Sequence, residues 1–327
     1  MRGICVVLVA SAGCGFGPFG DTPGGADNLP TAAAGPYAKL PIDFDTPADE
    51  PFIVDDARAQ LNTPSALPRE DGGFRIWFTR DADDAAGTGE IWYTEIPALT
   101  ELPDVFPDVL LVADQDWEQG DVRDPSVLDL GGGELVMYYG GGGDLPAIGR
   151  ADSSDGGATW VKHPDNPVLD NAAEPGAAAL DGDVFVVFSR PSGTGIAGAL
   201  SADGGLTFAG TRPVLLPRVA TPRAFDKNRV FDPDLVVEMT DTGRRTFGLF
   251  YAGEAPGDEA GTVVSAVGYA GSFDFSEWRR FGGGEPILSP GPPGERGPSA
   301  LIKGTGGVLF FSERKQGRGR IAVATHP

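Results

Sequence analysis

The chain has 327 residues, of which 49 are Gly and 29 are Pro, while 41% are hydrophobic and 9% are aromatic. So much turn chemistry beside so much apolar material predicts many short strands around a sizeable core, and argues against helical bundles and coiled coils. The formal net charge of −22 creates a field that repels phosphate backbones, so nucleic acid is not an expected partner.

The first 13 residues have the features of a secretory signal peptide. Arg2 supplies a positive charge, and residues 4–12 form an apolar run that is too short to span a bilayer. Residues 11–14 resemble a bacterial lipobox, in which the Cys, here Cys14, is lipidated and becomes the mature N-terminus. Ser11 departs from the aliphatic residue usual there, so plain secretion and a buried N-terminal strand are the alternatives.

The expected organisation follows from this N-terminus. Residues 1–13 form the signal peptide, residues 14–40 a flexible tether rich in Gly, Pro and Ala, and residues 41–327 the folded domain. We expect a bacterial cell-envelope protein, either lipid-anchored at the outer membrane or cell surface or secreted. The N-terminal anchor would be its only contact with a membrane.

A short phrase recurs five times along the domain: a polar residue or Gly, then Pro, a small or polar residue and an apolar run. Its prolines are Pro64, Pro125, Pro175, Pro233 and Pro298. Pro is permitted at the first residue of a strand because no ladder donor is lost there. Second strands are predicted at 74–79, 134–139, 184–189, 246–251 and 308–312, and third strands at 90–96, 148–153, 195–201, 263–269 and 320–325.

A fourth strand is marked by Pro before an apolar pair, at 167–169, 213–215 and 286–288, with 107–111 a looser example. The fifth unit ends at Pro327 without such a strand, so we predict that residues near 50–55 complete the last blade. The expected fold is an all-β, five-bladed β-propeller of four-stranded antiparallel blades, closed by an N-terminal strand. A β-sandwich would not explain five matched units.

A second phrase occupies the turns between third and fourth strands. Residues 153–160 and 201–208 resemble the Asp-box, and residues 272–278 are a degenerate third copy. Asp can bond nearby backbone amides, and Gly tolerates positive φ. The resemblance implies a folding device on the outside of the propeller, so we assign these turns no chemistry.

The residue before each repeated Pro is a candidate for function, because equivalent positions of a propeller form a ring around one axial funnel. These residues are Thr63, Asp124, Glu174, Asp232 and Gly297. Three are carboxylates from consecutive blades. They are either solvated strand-entry residues in Asx-type turns, or a cluster whose pKa values are pushed apart so that one carboxyl stays protonated as an acid.

On these motifs the chain, over most of residues 50–327, resembles the five-bladed glycoside hydrolases, namely the arabinanase/β-xylosidase family and the related invertase/levansucrase families. Arg123-Asp124-Pro125 resembles the second-blade motif, whose Asp holds substrate and tunes the acid, and Glu174-Pro175 resembles the third-blade motif carrying the general acid. The resemblance implies that Asp124 is the modulator and Glu174 the proton donor, with an oligosaccharide or polysaccharide as partner. No cofactor is required, although Ca²⁺ is compatible with an acidic funnel.

The first blade departs from the family pattern, since Thr63 stands where the family has an Asp as base or nucleophile. Glycosidic cleavage normally needs two carboxylates in opposed roles. Either Asp55, Asp56 or Asp232 substitutes, or the chain is a catalytically silent relative that binds glycans or assists envelope assembly. A sialidase is a less favoured alternative, because it needs an Arg triad, a Tyr nucleophile and six repeats.

Five residues are predicted to bind substrate around the funnel. Trp117 would stack on a sugar face at the mouth, and Arg123 and Arg296 would neutralise the carboxylates or bind an acidic sugar. The remaining two, Asn62 and Thr63, belong to the first-blade phrase. The catalytic candidates are Glu174, Asp124 and Asp232.

Overall fold

The computed structural model describes most of the chain after the N-terminal segment. The described residues are 35–40, 60–81, 88–99, 101, 103, 105–191, 193, 195–239, 243–257, 262–281, 284–288, 294–303, 306–315 and 318–327. Among these residues, none of the helices has the length and hydropathy needed to cross a membrane. The predicted signal peptide and Cys14 lie outside the described residues, so the lipid anchor stays a prediction.

In the part of the chain that the structure describes, twenty-one strands form five antiparallel sheets, each of which is one blade. Blade 1 contains β2 (Gln60–Pro68), β3 (Phe74–Asp81), β4 (Gly89–Ile96) and β5 (Val105–Leu111). Blade 2 contains β6 (Val122–Gly131), β7 (Glu134–Gly141), β8 (Ala147–Ser153) and β10 (Leu169–Asp170), and β9 (Val161–Lys162) also pairs with β8. Blade 3 contains β11 (Ala173–Leu180), β12 (Asp183–Ser189), β13 (Ile196–Ser201) and β14 (Ala209–Leu215).

Blade 4 contains β15 (Arg229–Met239), β16 (Arg245–Pro256), β17 (Val263–Ser272) and β18 (Arg279–Arg280). Blade 5 contains β19 (Glu295–Lys303), β20 (Gly306–Lys315), β21 (Arg318–His326) and β1 (Ala38–Lys39). The prediction of a five-bladed propeller closed by an N-terminal strand is therefore confirmed.

The closing strand is not the predicted one. The outer position of blade 5 belongs to β1, where Ala38 pairs with Thr325 and Lys39 with Ala324, whereas residues 50–55 lie outside the described residues. Tyr37 anchors β1: its ring is 5% exposed, and its amide donates to the Ile287 carbonyl at 3.0 Å. The end of the predicted tether is thus part of the folded domain, because a buried aromatic precedes the strand.

The outer strands of blade 4 also differ from the prediction. The fourth strand is Arg279–Arg280, ahead of the predicted 286–288. The predicted segment still bonds the third strand, since the Ile287 amide donates to the Val267 carbonyl at 2.9 Å. Tyr37 then bonds the other side of Ile287, so this segment joins blade 4 to the closing strand.

The core is divided into five clusters of buried side chains, one between each pair of neighbouring blades, including blades 5 and 1. Aromatic edge-to-face contacts are frequent there; Phe185 of blade 3 and Phe247 of blade 4 have ring centroids 4.8 Å apart. Burial of such a side chain contributes about 1.5–3 kcal/mol. The ring is therefore closed between its last and first blades by the same kind of packing that joins the others.

The turns that follow β8 and β13 share one hydrogen-bond pattern. In the first, the Ser153 hydroxyl donates to Asp155 at 2.8 Å, and Asp155 also accepts the amide and hydroxyl of Thr159 at 2.9 and 2.6 Å. Ser201, Asp203 and Thr207 repeat these bonds in the second. Each turn then places an aromatic ring against the preceding blade: Trp160 on Trp77 and Phe208 on Tyr138. These contacts lock adjacent blades together.

Candidate active site at the propeller axis

A funnel lies on the propeller axis, and the predicted ring residues line it; its empty space of about 320 Å³ includes open solvent at the mouth. Each ring residue has a positive φ, in a narrow range: Thr63 45°, Asp124 54°, Glu174 53°, Asp232 44° and Gly297 57°. A shift in strand register accompanies each of them. Such a bulge takes a residue out of the ladder and re-aims its side chain.

Four of these five residues are not Gly, so the ring conformation is strained. A non-Gly residue with positive φ costs on the order of 1–3 kcal/mol, and the cost is greatest for a β-branched residue such as Thr63. Strain of this kind persists only when surrounding contacts enforce it, and it clusters at functional sites.

Hydroxyl groups on the second strands of three blades supply part of that enforcement. The Asp124 amide donates to Thr79 Oγ1 at 2.8 Å, and the Asp232 amide donates to Ser189 Oγ at 3.1 Å. The Thr63 amide donates to Ser312 Oγ at 2.7 Å. In each case the hydroxyl belongs to the preceding blade, so it holds the next ring residue in position.

Blades 2 and 4 lack a hydroxyl at this position. In blade 1 this position is Thr79, which pairs with Asn62 of the first strand. In blade 2 it is Gly140, which pairs with Arg123, and in blade 4 it is Ala252, which pairs with Phe231. Where Ala252 stands, a ring carboxylate replaces the hydroxyl: the Gly297 amide donates to Asp232 Oδ2 at 3.1 Å. Where Gly140 stands, the residue supplies no hydroxyl, and an added Cβ would make an ordinary van der Waals contact with Asp124 Oδ2 at 3.5 Å.

Glu174 accepts donors on both of its carboxylate oxygens. Arg229 donates to Oε1 at 3.0 Å and the Asp232 amide to Oε2 at 3.0 Å. The Arg229 guanidinium also lies over the Phe231 ring, 4.1 Å from its centroid. These two bonds tie the Glu174 carboxyl group of blade 3 to blade 4.

Asp124 lies in a different environment. Its neighbour Arg123 forms ion pairs with Asp121 at 2.6 Å and Asp81 at 3.4 Å. Burial raises the pKa of Asp124 to about 7; the Arg123 charge opposes this shift and the Glu174 charge adds to it. Burial, followed by the Glu174 charge, also raises the pKa of Asp232 well above its usual range.

A second ring of residues lies two positions further along the first strand of each blade. Ser65, Ser126, Asp234 and Ser299 each accept the amide of a residue in the next blade, at 2.9, 2.9, 2.8 and 3.1 Å. The fifth member is Gly176, whose added Cβ would lie 2.3 Å from the Pro233 carbonyl oxygen. The tight fit therefore excludes a side chain there. Burial raises the pKa of Asp234 to about 7.

The predicted substrate-binding residues fall into two groups. Thr63 lines the funnel, and Asn62 links its surroundings by accepting from Arg296 at 2.8 Å and donating to Asp81 at 2.8 Å. Arg296 is exposed, whereas Arg123 is half-buried. Trp117 does not line the funnel. It packs on Tyr139, with ring centroids 5.7 Å apart.

The position of Trp117 follows from its neighbour. A 3₁₀ turn at Asp116–Glu118 contains Glu118, which is fully buried. The Tyr139 hydroxyl donates to Glu118 at 2.8 Å, and Lys162 pairs with it at 2.7 Å. These bonds draw the turn onto blade 2, so the indole fills space over the blade instead of facing the axis.

Sequence reasoning missed Thr79 and Asp234, and it did not foresee that Arg229 pairs with Glu174. Hydroxyl residues on three of the five second strands were a signal that could have identified the role of Thr79. Asp55 and Asp56, the proposed substitutes for the missing base, lie outside the described residues. Within the described ranges, no three His, Cys, Asp or Glu side chains are arranged to hold a metal ion.

The fold and the axial funnel define a five-bladed β-propeller, and several solved structures are similar to it over most of the chain. A Bacteroides ovatus protein assigned as a glycoside hydrolase is similar over 89% of this chain and 93% of its own, with TM-score 0.63 and 15% identity. An exo-1,5-α-L-arabinanase from a bovine ruminal metagenomic library matches over 83% and 94%, with TM-score 0.58 and 15% identity. An endo-arabinase from Bacteroides thetaiotaomicron matches over 81% and 93%, with TM-score 0.59 and 12% identity.

No family model and no curated protein sequence matches this chain. At these identities the structural likeness shows the fold: a propeller of the kind found in glycoside hydrolases. The roles of the ring residues are therefore argued from their geometry.

Proposed function

We propose that the protein hydrolyses a glycosidic bond of an oligosaccharide whose end enters the axial funnel. The observation that carries this proposal is the presence of carboxyl groups in opposed environments within one cavity. Glu174 is paired with Arg229, whereas burial raises the pKa of Asp124 to about 7. Glycoside hydrolysis requires one carboxyl group that donates a proton and one that is ionised, placed on either side of the scissile bond. The hydrolase fold of the similar structures supports the same class of reaction.

The chemistry needs no further component. One carboxyl group donates its proton to the leaving oxygen as the bond to the anomeric carbon breaks. A water molecule attacks that carbon, and an ionised carboxylate takes the proton that the water loses. One water is consumed for each bond cleaved, and the two carboxyl groups return to their starting states when they exchange protons with solvent.

Turnover by the purified chain tests this function. Aryl glycosides of arabinose, xylose and fructose, with arabinan, xylan and fructan oligosaccharides, are incubated with the wild type and with Glu174→Gln. Glu134→Gln is the matched control, because Glu134 is exposed at the start of β7. We expect turnover by the wild type and the control and a loss of at least 100-fold in Glu174→Gln. Equal rates in all three would exclude the funnel as the site.

A non-catalytic glycan-binding or envelope-assembly role is the second candidate, and Thr63 favours it. Its hydroxyl donates to Asp124 Oδ1 at 2.9 Å in the blade where a further carboxylate would be expected. Selective binding on a glycan array, weakened by Arg296→Ala and unaccompanied by turnover, would support this role. Release of sugar from the bound glycan would exclude it.

We also propose that the propeller is tethered to the cell envelope by a lipid on Cys14. Expression in a bacterial host with labelled palmitate should label the wild type and leave Cys14→Ser unlabelled. Label on both proteins, or on neither, would contradict this attachment.

A further inference from the structure

We propose that Arg296 recognises a carboxylate on the substrate, so that the glycan bound at the axial funnel is an acidic one that contains a hexuronic acid. This inference rests on the proposed function and names the class of sugar that the same funnel takes. The sequence left open whether Arg296 neutralises the ring carboxylates or binds an acidic sugar. The charge distribution and the ion pairs around the funnel favour the second role.

The ring of residues around the funnel has an acidic side and an uncharged side. Asp124, Glu174 and Asp232 come from blades 2, 3 and 4, whereas Gly297 and Thr63 come from blades 5 and 1. The uncharged side is closely packed, since a Cβ added to Gly297 would lie 3.0 Å from the Thr63 Cα. The acidic side repels an anionic group of a ligand, so such a group has its place beside blades 5 and 1.

Arg296 stands at the rim of the uncharged side. It directly precedes Gly297, it is exposed, and it does not line the cavity itself. Its guanidinium reaches across to the first strand of blade 1, where Nη2 donates to Asn62 Oδ1 at 2.8 Å. The first strands surround the axis, so Arg296 meets the part of a ligand that lies at the mouth of the funnel.

Two other arginines on the first strands already have carboxylate partners. Arg123, which occupies the same position in blade 2, forms ion pairs with Asp121 at 2.6 Å and with Asp81 at 3.4 Å. Arg229 of blade 4 pairs with Glu174 at 3.0 Å. These two cations are therefore used within the protein.

The partner of Arg296 is instead neutral. Among the described residues it forms no ion pair, and its hydrogen bond goes to the side-chain amide of Asn62. The chain has 47 Asp and Glu against 25 Lys and Arg, so carboxylates are abundant and a cation without one is unusual. A ligand with a negative charge would supply the missing partner.

Asn62 fixes the direction of the Arg296 guanidinium. It is only 9% exposed, and its Nδ2 donates to Asp81 Oδ2 at 2.8 Å. Because the amide nitrogen is bound to Asp81, the amide oxygen faces Arg296. This bond uses one N–H of Nη2, and the remaining N–H groups of the planar guanidinium can hold both oxygens of a carboxylate. The charge of Arg296 is thus held in place before a ligand arrives.

A hexuronic acid presents a carboxylate of this kind. The carboxylate replaces the primary alcohol of a hexose, while the ring hydroxyls and the glycosidic bond are those of a neutral sugar. In the proposed function the end of the glycan enters the funnel, so the enclosed sugar is the terminal one. The carboxylate that reaches Arg296 therefore belongs to the next sugar, at the mouth.

Binding of matched oligosaccharides tests this role without turnover. The full wild-type chain is titrated calorimetrically with S-linked oligosaccharides, which resist hydrolysis and carry glucuronic or galacturonic acid next to the terminal sugar. The same compounds are then used after reduction of the carboxyl group to a primary alcohol. We expect the acidic form to bind about 10- to 100-fold more tightly, because reduction removes a charge-assisted hydrogen bond, and the difference to shrink at high salt. Equal affinities, or no binding of either form, would overturn the inference.

Variants assign the preference to Arg296. Arg296→Gln keeps a donor for Asn62 without the charge, so it should bind the acidic and reduced forms equally and the reduced form as the wild type does. Arg296→Lys should keep part of the preference. Arg212→Gln is the matched control and should keep all of it, because Arg212 is exposed on β14, the outer strand of blade 3. A preference that survives in Arg296→Gln, or tighter binding of a sulfated analogue than of the acid, would overturn the inference.

Turnover separates this inference from the proposed hydrolysis. With O-linked substrates, Arg296→Gln should raise KM for the acidic one and leave kcat nearly unchanged, because the lost contact is the same in the ground state and the transition state. A wild type that prefers the acidic S-linked compound and hydrolyses neither substrate would contradict only the hydrolysis. Hydrolysis with equal KM for the acidic and reduced substrates would contradict only the role of Arg296.

Discussion

Asp234 is expected to limit the stability of this propeller above neutral pH. It occupies a position where three other blades use Ser, and like them it accepts an amide of the next blade. Burial raises its pKa from the ordinary value of 3.8 to about 7. Replacing it by Ser keeps an acceptor and removes the buried charge.

The expected magnitude follows from proton linkage. The folded protein retains a proton that the unfolded chain loses above pH 4, so the stability contributed by Asp234 is fully present below that pH. The contribution of Asp234 to the free energy of unfolding declines as the pH rises and is lost above about pH 7. By then the ionised Asp234 has lowered the free energy of unfolding by about 4 kcal/mol in total. Allowing about 1 kcal/mol for a weaker hydrogen bond, Asp234→Ser should be about 3 kcal/mol more stable than the wild type at pH 8. At pH 4 the two proteins should differ by about 1 kcal/mol at most.

Urea unfolding of both proteins at pH 4, 6 and 8 measures this difference. Ser299→Ala is the control, because it removes an equivalent acceptor without a titratable group and should lower the free energy of unfolding by a similar amount at every pH. A difference between Asp234→Ser and the wild type that does not change with pH would refute the reasoning.

Three further predictions concern packing and turns. Gly176→Ala should destabilise the fold by about 1–3 kcal/mol, because the new Cβ would lie 2.3 Å from the Pro233 carbonyl oxygen. Gly140→Ala is the control, because its new Cβ would have a nearest contact of 3.5 Å. Equal urea midpoints for the two variants would contradict the predicted clash. Tyr37→Ala should lower the free energy of unfolding by about 3–5 kcal/mol, because it removes the aromatic ring that closes blade 5. Tyr37→Phe should lower it little, because the buried hydroxyl has no hydrogen-bond partner among the described residues. Equal decreases in the thermal midpoints of the two variants would show that the aromatic ring does not stabilise this closure. Hydroxyl donors in its turn lower the pKa of Asp203, so its stabilising effect is present above pH 4 and lost as the pH falls. Asp203→Asn should therefore be less stable than the wild type at pH 6 and approach it at pH 2, and a constant gap in thermal midpoints would contradict this.

The blades could be predicted from the sequence because each is specified locally. The repeated Pro marks a strand entry, and alternation with Gly turns defines the hairpins, so the second strands begin within two residues of the predicted positions. The ring residues were found for the same reason, since position relative to Pro125 or Pro175 is a short-range property.

The remaining features depend on neighbours that are distant in sequence. The closing strand at Ala38–Lys39 is too short to show a pattern, and its identity depends on the cavity that receives Tyr37. Trp117 was placed at the mouth because nothing local indicates that Glu118 would be buried beneath it. The contacts of the ring carboxyl groups likewise depend on partners from other blades, such as Arg229 for Glu174.

The pairing of β1 with β21 has a consequence for how the molecule is made. Ala38 leaves the ribosome long before its partner Thr325, so the closing strand must stay unpaired while the blades between them are made. Contacts between distant parts of a chain are slow to form, and incomplete chains expose unpaired edges. A circular permutant in which residues 35–40 follow residue 326 through a short linker would turn this closure into a hairpin. Blade 5 could then complete itself as it emerges, and the finished propeller would not depend on capture of a waiting N-terminal segment.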